Sequence, residues 1–188
     1  MATKTSQRIA ILIIAIVMTV GTIGSFVVIV LANNNQASDA AAQQKALDDY
    51  KKQQAAAAEA HAASSKPLDG YSATPFDKAS ITSLGVEVLK EGTGATVKAD
   101  STITANYFGW TSDGKIFDSS NQDGKVTPAT FSLSGVIKGW TQGLTGQKVG
   151  SVVRLTIPSD LAYGAAGSPP SIGPNEPLEF IVEINSIQ

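Results

Sequence analysis

The chain has 188 residues, enough for one ordinary domain with appendages. Its net charge is −2, and residues 67–188 alone carry 8 basic and 12 acidic residues, so the basic face that a nucleic-acid partner requires is lacking. Cysteine is absent, which excludes disulfide scaffolds, thiol nucleophiles, iron–sulfur sites and lipid anchoring through a cysteine.

The first sequence feature is an uncharged run of 23 residues, Ile9 to Leu31. At about 1.5 Å per residue such a helix spans a hydrocarbon core of about 30 Å. Lys4 and Arg8 precede the run, and the next basic residue after it is Lys45. Positive charge stays inside, so the expectation is a single-pass signal anchor in the cell membrane. Residues 1–8 would then be cytoplasmic, residues 9–31 transmembrane, and everything beyond extracytoplasmic. The alternative is a cleaved signal peptide and a secreted product, with Val30-Leu31-Ala32 as the cleavage site. Gly21 and Gly24 are three apart and do not form the small-residue dimerisation face of paired membrane helices.

Residues 32–66 read as a helical or flexible spacer. Residues 33–66 hold 12 alanines and 5 glutamines, strong helix formers, with 4 basic and 4 acidic residues. Asn33 to Asn35 suit a cap, and Lys45–Asp49 and Asp48–Lys52 have i,i+4 spacing. Only Leu47 and Tyr50 are sizeable apolar residues, so the segment predicts a solvated single helix or tether in a monomer; a coiled-coil dimeriser is the competing reading. His61, the only histidine, falls in this segment and reads as a surface residue, which would leave the folded domain without histidine chemistry. Ser64-Ser65-Lys66-Pro67 ends the spacer.

Residues 67–188 contain all 8 prolines and 15 of the 17 glycines, a turn-rich, folded composition. From Gly85 the pattern has period two. Val86 and Val88 alternate with Glu87 and Leu89, and Ile103, Ala105 and Tyr107 alternate with Thr102, Thr104 and Asn106. Asp113-Gly114 signals a hairpin before Ile116-Phe117. Thr130 to Leu133 is a short strand, and Val152–Ile157 and Leu178–Ile187 are long ones. Along the last, Leu178, Phe180, Val182 and Ile184 should face one side, and Glu179, Glu183 and Asn185 the other, solvated one. Val136 to Leu144 is the only candidate helix. The expectation is an α+β fold, a curled antiparallel sheet of five to six strands over one short helix.

Three stretches stand out: Gly114-Lys-Ile-Phe-Asp-Ser-Ser120, Val136-Ile-Lys-Gly-Trp140, and Leu155 to Gly164 with its Ala162-Tyr163-Gly164 end. They suggest an apolar cup with few polar groups at its rim and no nucleophile, metal cluster or phosphate loop. Glu91-Gly-Thr-Gly94 is a turn, because no Lys-Ser/Thr follows it. Trp140, Phe117 and Phe180 each also suit an ordinary core position, and Asp118 before two serines also suits a turn.

In their order and spacing these stretches, with Tyr107-Phe-Gly109, Gly143-Leu144, Val149-Gly150 and Leu178-Glu-Phe180, resemble an FKBP-type peptidyl-prolyl cis-trans isomerase over residues 80–188. With the anchor, the resemblance points to a membrane-bound bacterial member. It implies that Trp140 is the floor on which a proline ring packs. Tyr107, Phe117 and Phe180 would be aromatic walls, and Val136 and Ile137 the aliphatic side. Phe131 and Ile172 would complete the substrate-binding set. The Ile137 backbone N–H and the Tyr163 hydroxyl would donate to substrate carbonyls, with Asp118 as the rim carboxylate. It implies no cofactor and no metal, proline-containing polypeptides as partners, and macrolides as inhibitors. The same pocket without turnover would be a binding module or holdase. The sequence departs from the family pattern at Ala129, Thr141, Gln147, Ser168 and Ser171, and in a shortened Leu133–Val136 segment.

Overall fold

The computed structural model describes residues 38–188. The run from Ile9 to Leu31 and the asparagines 33–35 lie outside the described residues, among which no helix is long and apolar enough to cross a membrane. Of the described residues, 55–188 form one compact unit and 38–54 belong to another.

Helix α1, Ser38–Ser64, carries the alanine-rich sequence. Its exposed face is laced by Gln44 donating to Asp48 Oδ1 at 3.0 Å and Gln54 donating to the Tyr50 hydroxyl at 2.7 Å. The expected pairs Lys45–Asp49 and Asp48–Lys52 do not close: among the described residues the ion pairs are His61–Asp118, Lys78–Glu176 and Arg154–Glu87. Neutral amides reach their i,i+4 neighbours here, while the lysines stay hydrated.

Nine strands follow: β1 Ser65–Lys66, β2 Gly85–Lys90, β3 Thr102–Trp110, β4 Ile116–Ser119, β5 Asn121–Gln122, β6 Lys125–Val126, β7 Ala129–Ser132, β8 Val152–Ile157 and β9 Leu178–Ile187. The main sheet is antiparallel, in the order β2-β8-β9-β3-β4, and β7 also pairs with β3. One edge of β3 is shared: Thr102 to Ala105 pair with β7, and Phe108 to Trp110 pair with β4. A second, three-stranded sheet joins β1, β5 and β6. Six strands in the main sheet and one short helix, α2 (Lys138–Leu144), match the expected α+β architecture. The helix is shorter than the Val136–Leu144 expectation, because a 3₁₀ turn at Leu133–Gly135 and an extended Val136 precede it. Thr141 donates to the Leu133 carbonyl at 2.6 Å and ties turn to helix.

Period two puts the two faces of the sheet against different partners. Ile103, Ala105 and Tyr107 join Leu155, Ile157, Leu178, Phe180, Val182 and Ile184 in one core, closed by Trp140 and Leu144 of α2. Gly139 lets α2 approach: a Cβ there would collide with Cγ2 of Ile157. The opposite face is apolar as well. Phe108, Trp110, Val152 and Ile181 form a second core with Leu68, roofed by Tyr71, Ala73 and Phe76. Phe108 and Trp110 stack at 5.1 Å, and the Trp110 indole donates to the Thr74 carbonyl at 3.0 Å. Glu179 and Glu183 are therefore not simply solvated. They are partly buried, accept from Thr156 at 3.2 Å and Asn106 at 2.9 Å, and burial raises the Glu179 pKa.

Candidate active site

The site residues are delivered by four strands and α2. Tyr107 comes from the centre of β3, Phe117 and Asp118 from β4, Phe131 from β7, Phe180 from β9 and Trp140 from α2. Gly109 faces Asp118 on one side and Phe180 on the other in the ladders, which draws the rim and wall residues to one place.

Trp140 is 4% exposed, and three rings stand steeply against its plane. Tyr107 meets it at 5.5 Å and 84°, Phe131 at 5.0 Å and 69°, and Phe180 at 5.4 Å and 84°. Phe117 meets Phe180 at 5.6 Å and 87°. One indole with three near-perpendicular neighbours describes a floor with walls. Edge-to-face contacts suit the aromatic quadrupoles, so the arrangement is stable without stacking the rings flat. Val136, Ile137, Ala129 and Tyr163 are partly buried against the same cluster, and Ile172 is buried within it. Tyr107, Phe117, Phe131, Trp140 and Phe180 are thus linked by ring contacts, and Val136, Ile137, Tyr163 and Ile172 belong to the same hydrophobic cluster.

The polar groups lie at the edge of this floor. The Tyr107 hydroxyl donates to Asp118 Oδ2 at 2.6 Å. Burial, and then the charge of Asp118, push the Tyr107 pKa well above the ordinary phenol value. Tyr163 is raised for the same two reasons, so both phenols stay protonated at neutral pH. Among the described residues neither the Ile137 N–H nor the Tyr163 hydroxyl has a hydrogen-bond partner within the protein. Two donors thus remain free beside an apolar floor.

Asp118 is a strand residue rather than a turn cap, and the two serines after it secure the ladder. Ser119 donates to the Lys66 carbonyl at 2.6 Å, while the Ser120 hydroxyl accepts from the Tyr107 N–H at 2.9 Å.

His61 corrects the sequence expectation. It is partly buried, and its Nε2 lies 2.8 Å from Asp118 Oδ1. The hydrogen bond to Asp118 outweighs burial and raises the imidazole pKa. Local structure explains the placement. Strand β1, directly after α1, pairs with β5, three residues beyond Asp118. The Ser64 hydroxyl lies 2.5 Å from Gln122 Oε1 and 3.0 Å from the His61 carbonyl and can donate to either, and Ser65 donates to the His61 carbonyl at 2.9 Å. A lone histidine in an alanine-rich run carries no periodic signal; only the Ser-Ser-Lys-Pro ending hinted that the helix stops where it must turn into the domain.

An antiparallel sheet over one short helix, with an aromatic cluster between them, defines a fold class that known proteins share. The family model for FKBP-type peptidyl-prolyl cis-trans isomerases matches residues 94–185. The chain is 43% identical over 105 residues to the peptidyl-prolyl cis-trans isomerase Mip of Coxiella burnetii, covering 56% of this chain and 45% of that protein. It is 41% identical over 111 residues to FK506-binding protein 1 of Candida albicans, covering 53% of this chain and 90% of the relative. The crystal structure of FkpA from Escherichia coli superposes with a TM-score of 0.52 at 34% identity, covering 80% of this chain and 68% of that one. The chain belongs to the FKBP-type peptidyl-prolyl cis-trans isomerase family. It spans less than half the length of Mip.

Proposed function

We propose that the cup holds the proline ring of a polypeptide and catalyses cis–trans rotation about the X–Pro bond. The observation that carries this reading is the Trp140 floor with three steep aromatic walls and two unpaired donors, Ile137 N–H and Tyr163 O–H, beside it. X–Pro bonds prefer trans by only about 0.5–1 kcal/mol but interconvert over tens to hundreds of seconds. The barrier of about 20 kcal/mol is loss of amide resonance, and no bond needs to break. A twisted amide has a less polar carbonyl that needs water less. A dry, apolar cup therefore favours the twisted form over the planar ground state, which is differential binding of the transition state. An acceleration of a hundred thousand takes about 7 kcal/mol.

In this reading Trp140 seats the ring, Tyr107, Phe117, Phe131 and Phe180 exclude water, and Val136, Ile137 and Ile172 close the aliphatic side. The Ile137 N–H and the Tyr163 hydroxyl hold the carbonyls flanking the rotating bond, which fixes one part of the chain while the other turns. Asp118, locked by Tyr107, orients the wall and sets the charge of the rim. A proline-peptide isomerisation assay on the full chain tests this. A rate equal to the uncatalysed one overturns the enzyme and, with peptide binding retained, leaves a binding module.

The uncharged run from Ile9 to Leu31, preceded by Lys4 and Arg8, supports a membrane anchor with the isomerase domain outside the cytoplasm, acting there on folding polypeptides. Protease treatment of intact cells checks the topology: a protected domain overturns it. Macrolides that mimic a proline ring are the inhibitors the cup should accept, and the spacer's lack of an apolar stripe supports a monomer.

A further inference from the structure

We propose that His61 is a specificity-determining residue of this site: its imidazole sets the charge of the rim at Asp118 and thereby selects the side chains that flank the target proline. This rests on the assignment of the cup as the isomerase site.

The geometry separates His61 from the rest of its helix. Asp118 has two carboxylate oxygens, and each has one side-chain partner: Tyr107 on Oδ2 at 2.6 Å and His61 on Oδ1 at 2.8 Å. Tyr107 is neutral, so of the two partners only His61 can offset the charge that Asp118 gives the rim. With an imidazolium the pair cancels; with a neutral imidazole the rim keeps one negative charge. The pair is partly open to solvent, with side-chain exposures of 23% for His61 and 33% for Asp118, so both side chains remain accessible to a bound polypeptide. The two residues lie 57 positions apart in the chain, and the contact is held by the β1–β5 pairing and the Ser64 and Ser65 hydrogen bonds rather than by chance approach of a tether.

The surrounding charges leave this role to His61. On β1, the Lys66 ammonium is turned to the Ala63 carbonyl at 3.0 Å. On the β5–β6 turn, Asp123 is tied to the helix end through its backbone N–H, which donates to the Ser64 carbonyl at 2.8 Å, and Lys125 follows it. Glu59 lies two residues back on α1. Among the described residues none of these four pairs with the imidazole, and Asp118 is the charge that acts on it. Tyr107 and Tyr163 face Asp118 as neutral phenols. Contact with Asp118 raises the imidazole pKa, so the neutral rim persists above the pH at which a free histidine would lose its proton.

A cationic partner on the rim carboxylate should let acidic residues approach the proline; its loss should favour basic ones. The test uses the full chain and two peptides that differ only in Glu or Lys before proline. The ratio of kcat/KM for the Glu peptide to that for the Lys peptide should fall about fivefold as pH rises through the His61 titration, the size of one solvent-screened charge pair. In His61→Gln the ratio should be low and independent of pH; in His61→Lys it should be high and independent of pH over the same range. Because His61 is the only histidine, its imidazole can be followed by NMR without assignment, and Asp118→Asn should bring its pKa down. An imidazole pKa unmoved by Asp118→Asn overturns the contact. A ratio that shifts with pH equally in His61→Gln overturns the selectivity role while leaving the isomerase assignment intact. Absence of any catalysis by the unaltered chain overturns the site assignment and this proposal together.

Discussion

Gly109 leaves the space that the Phe180 ring fills: a Cβ on Gly109 would collide with Cε1 of that ring and stand 2.7 Å from Cζ of Phe117. The two residues are ladder partners on β3 and β9, so the glycine is the gap into which the wall of the cup folds. Gly109→Ala should push both rings off their edge-to-face geometry. Overpacking of this kind costs about 1–3 kcal/mol, and here the displaced atoms are the wall itself. Chemical denaturation should show that loss, and isomerisation of a proline peptide should fall with it. Unchanged activity together with unchanged stability would mean that the wall is not held where the structure puts it.

Tyr163 offers the opposite case, a polar group whose removal should not disturb the fold. Its hydroxyl has no hydrogen-bond partner within the protein among the described residues. Tyr163→Phe therefore leaves nothing unsatisfied, and stability should stay within about 0.5 kcal/mol of the unaltered chain. If the hydroxyl holds a substrate carbonyl, kcat/KM should drop about threefold to tenfold, the worth of one neutral hydrogen bond. An unaltered kcat/KM would remove Tyr163 from the site.

The strands that build the cup were legible because each has one clearly apolar face. Leu178, Phe180, Val182 and Ile184 alternate as a period of two requires, and the structure buries all four in one core. Tyr107, Phe117, Phe131, Trp140 and Phe180 were legible as site residues only through the order of the motifs around them, since aromatics at strand spacing also suit a plain core. Two features escaped. The second core is roofed by Leu68, Tyr71, Ala73 and Phe76, which lie at irregular spacing in a loop, so no period marks them. His61 escaped because its partner is 57 residues away and the sequence between them offers no complementary pattern. Long-range pairs of single charged groups leave no local trace; periodic burial does.

The partly buried Tyr107–Asp118 bond makes a prediction at alkaline pH. Burial and the Asp118 charge raise the Tyr107 pKa in the folded state, whereas the unfolded chain releases the phenol proton near about 10. Above that pH the unfolded state binds fewer protons than the folded one, so stability falls as pH rises. Tyr107→Phe should flatten this slope in urea unfolding between pH 8 and 10.5, with the raised Tyr163 leaving a smaller residue of it. At neutral pH the same substitution should cost about 1–3 kcal/mol, because Asp118 Oδ2 loses its partner. A variant with the original alkaline slope would show that another group carries it.

The His61–Asp118 pair predicts the reverse kind of pH dependence, and near neutrality. The folded-state pKa of His61 is raised, chiefly by the hydrogen bond to Asp118. Its contribution to stability is therefore complete below the unfolded value of about 6.5 and is lost as pH rises through the folded value. His61→Ala should destabilise the full chain at pH 5.5 by no more than about 1 kcal/mol, since the pair is partly solvated, and by less at pH 8.5. The effect should be confined to the unit formed by residues 55–188, and should disappear when Asp118 is already Asn. A penalty equal at both pH values, or one that persists in the Asp118→Asn background, would mean that His61 stabilises the helix end through packing and not through the rim carboxylate.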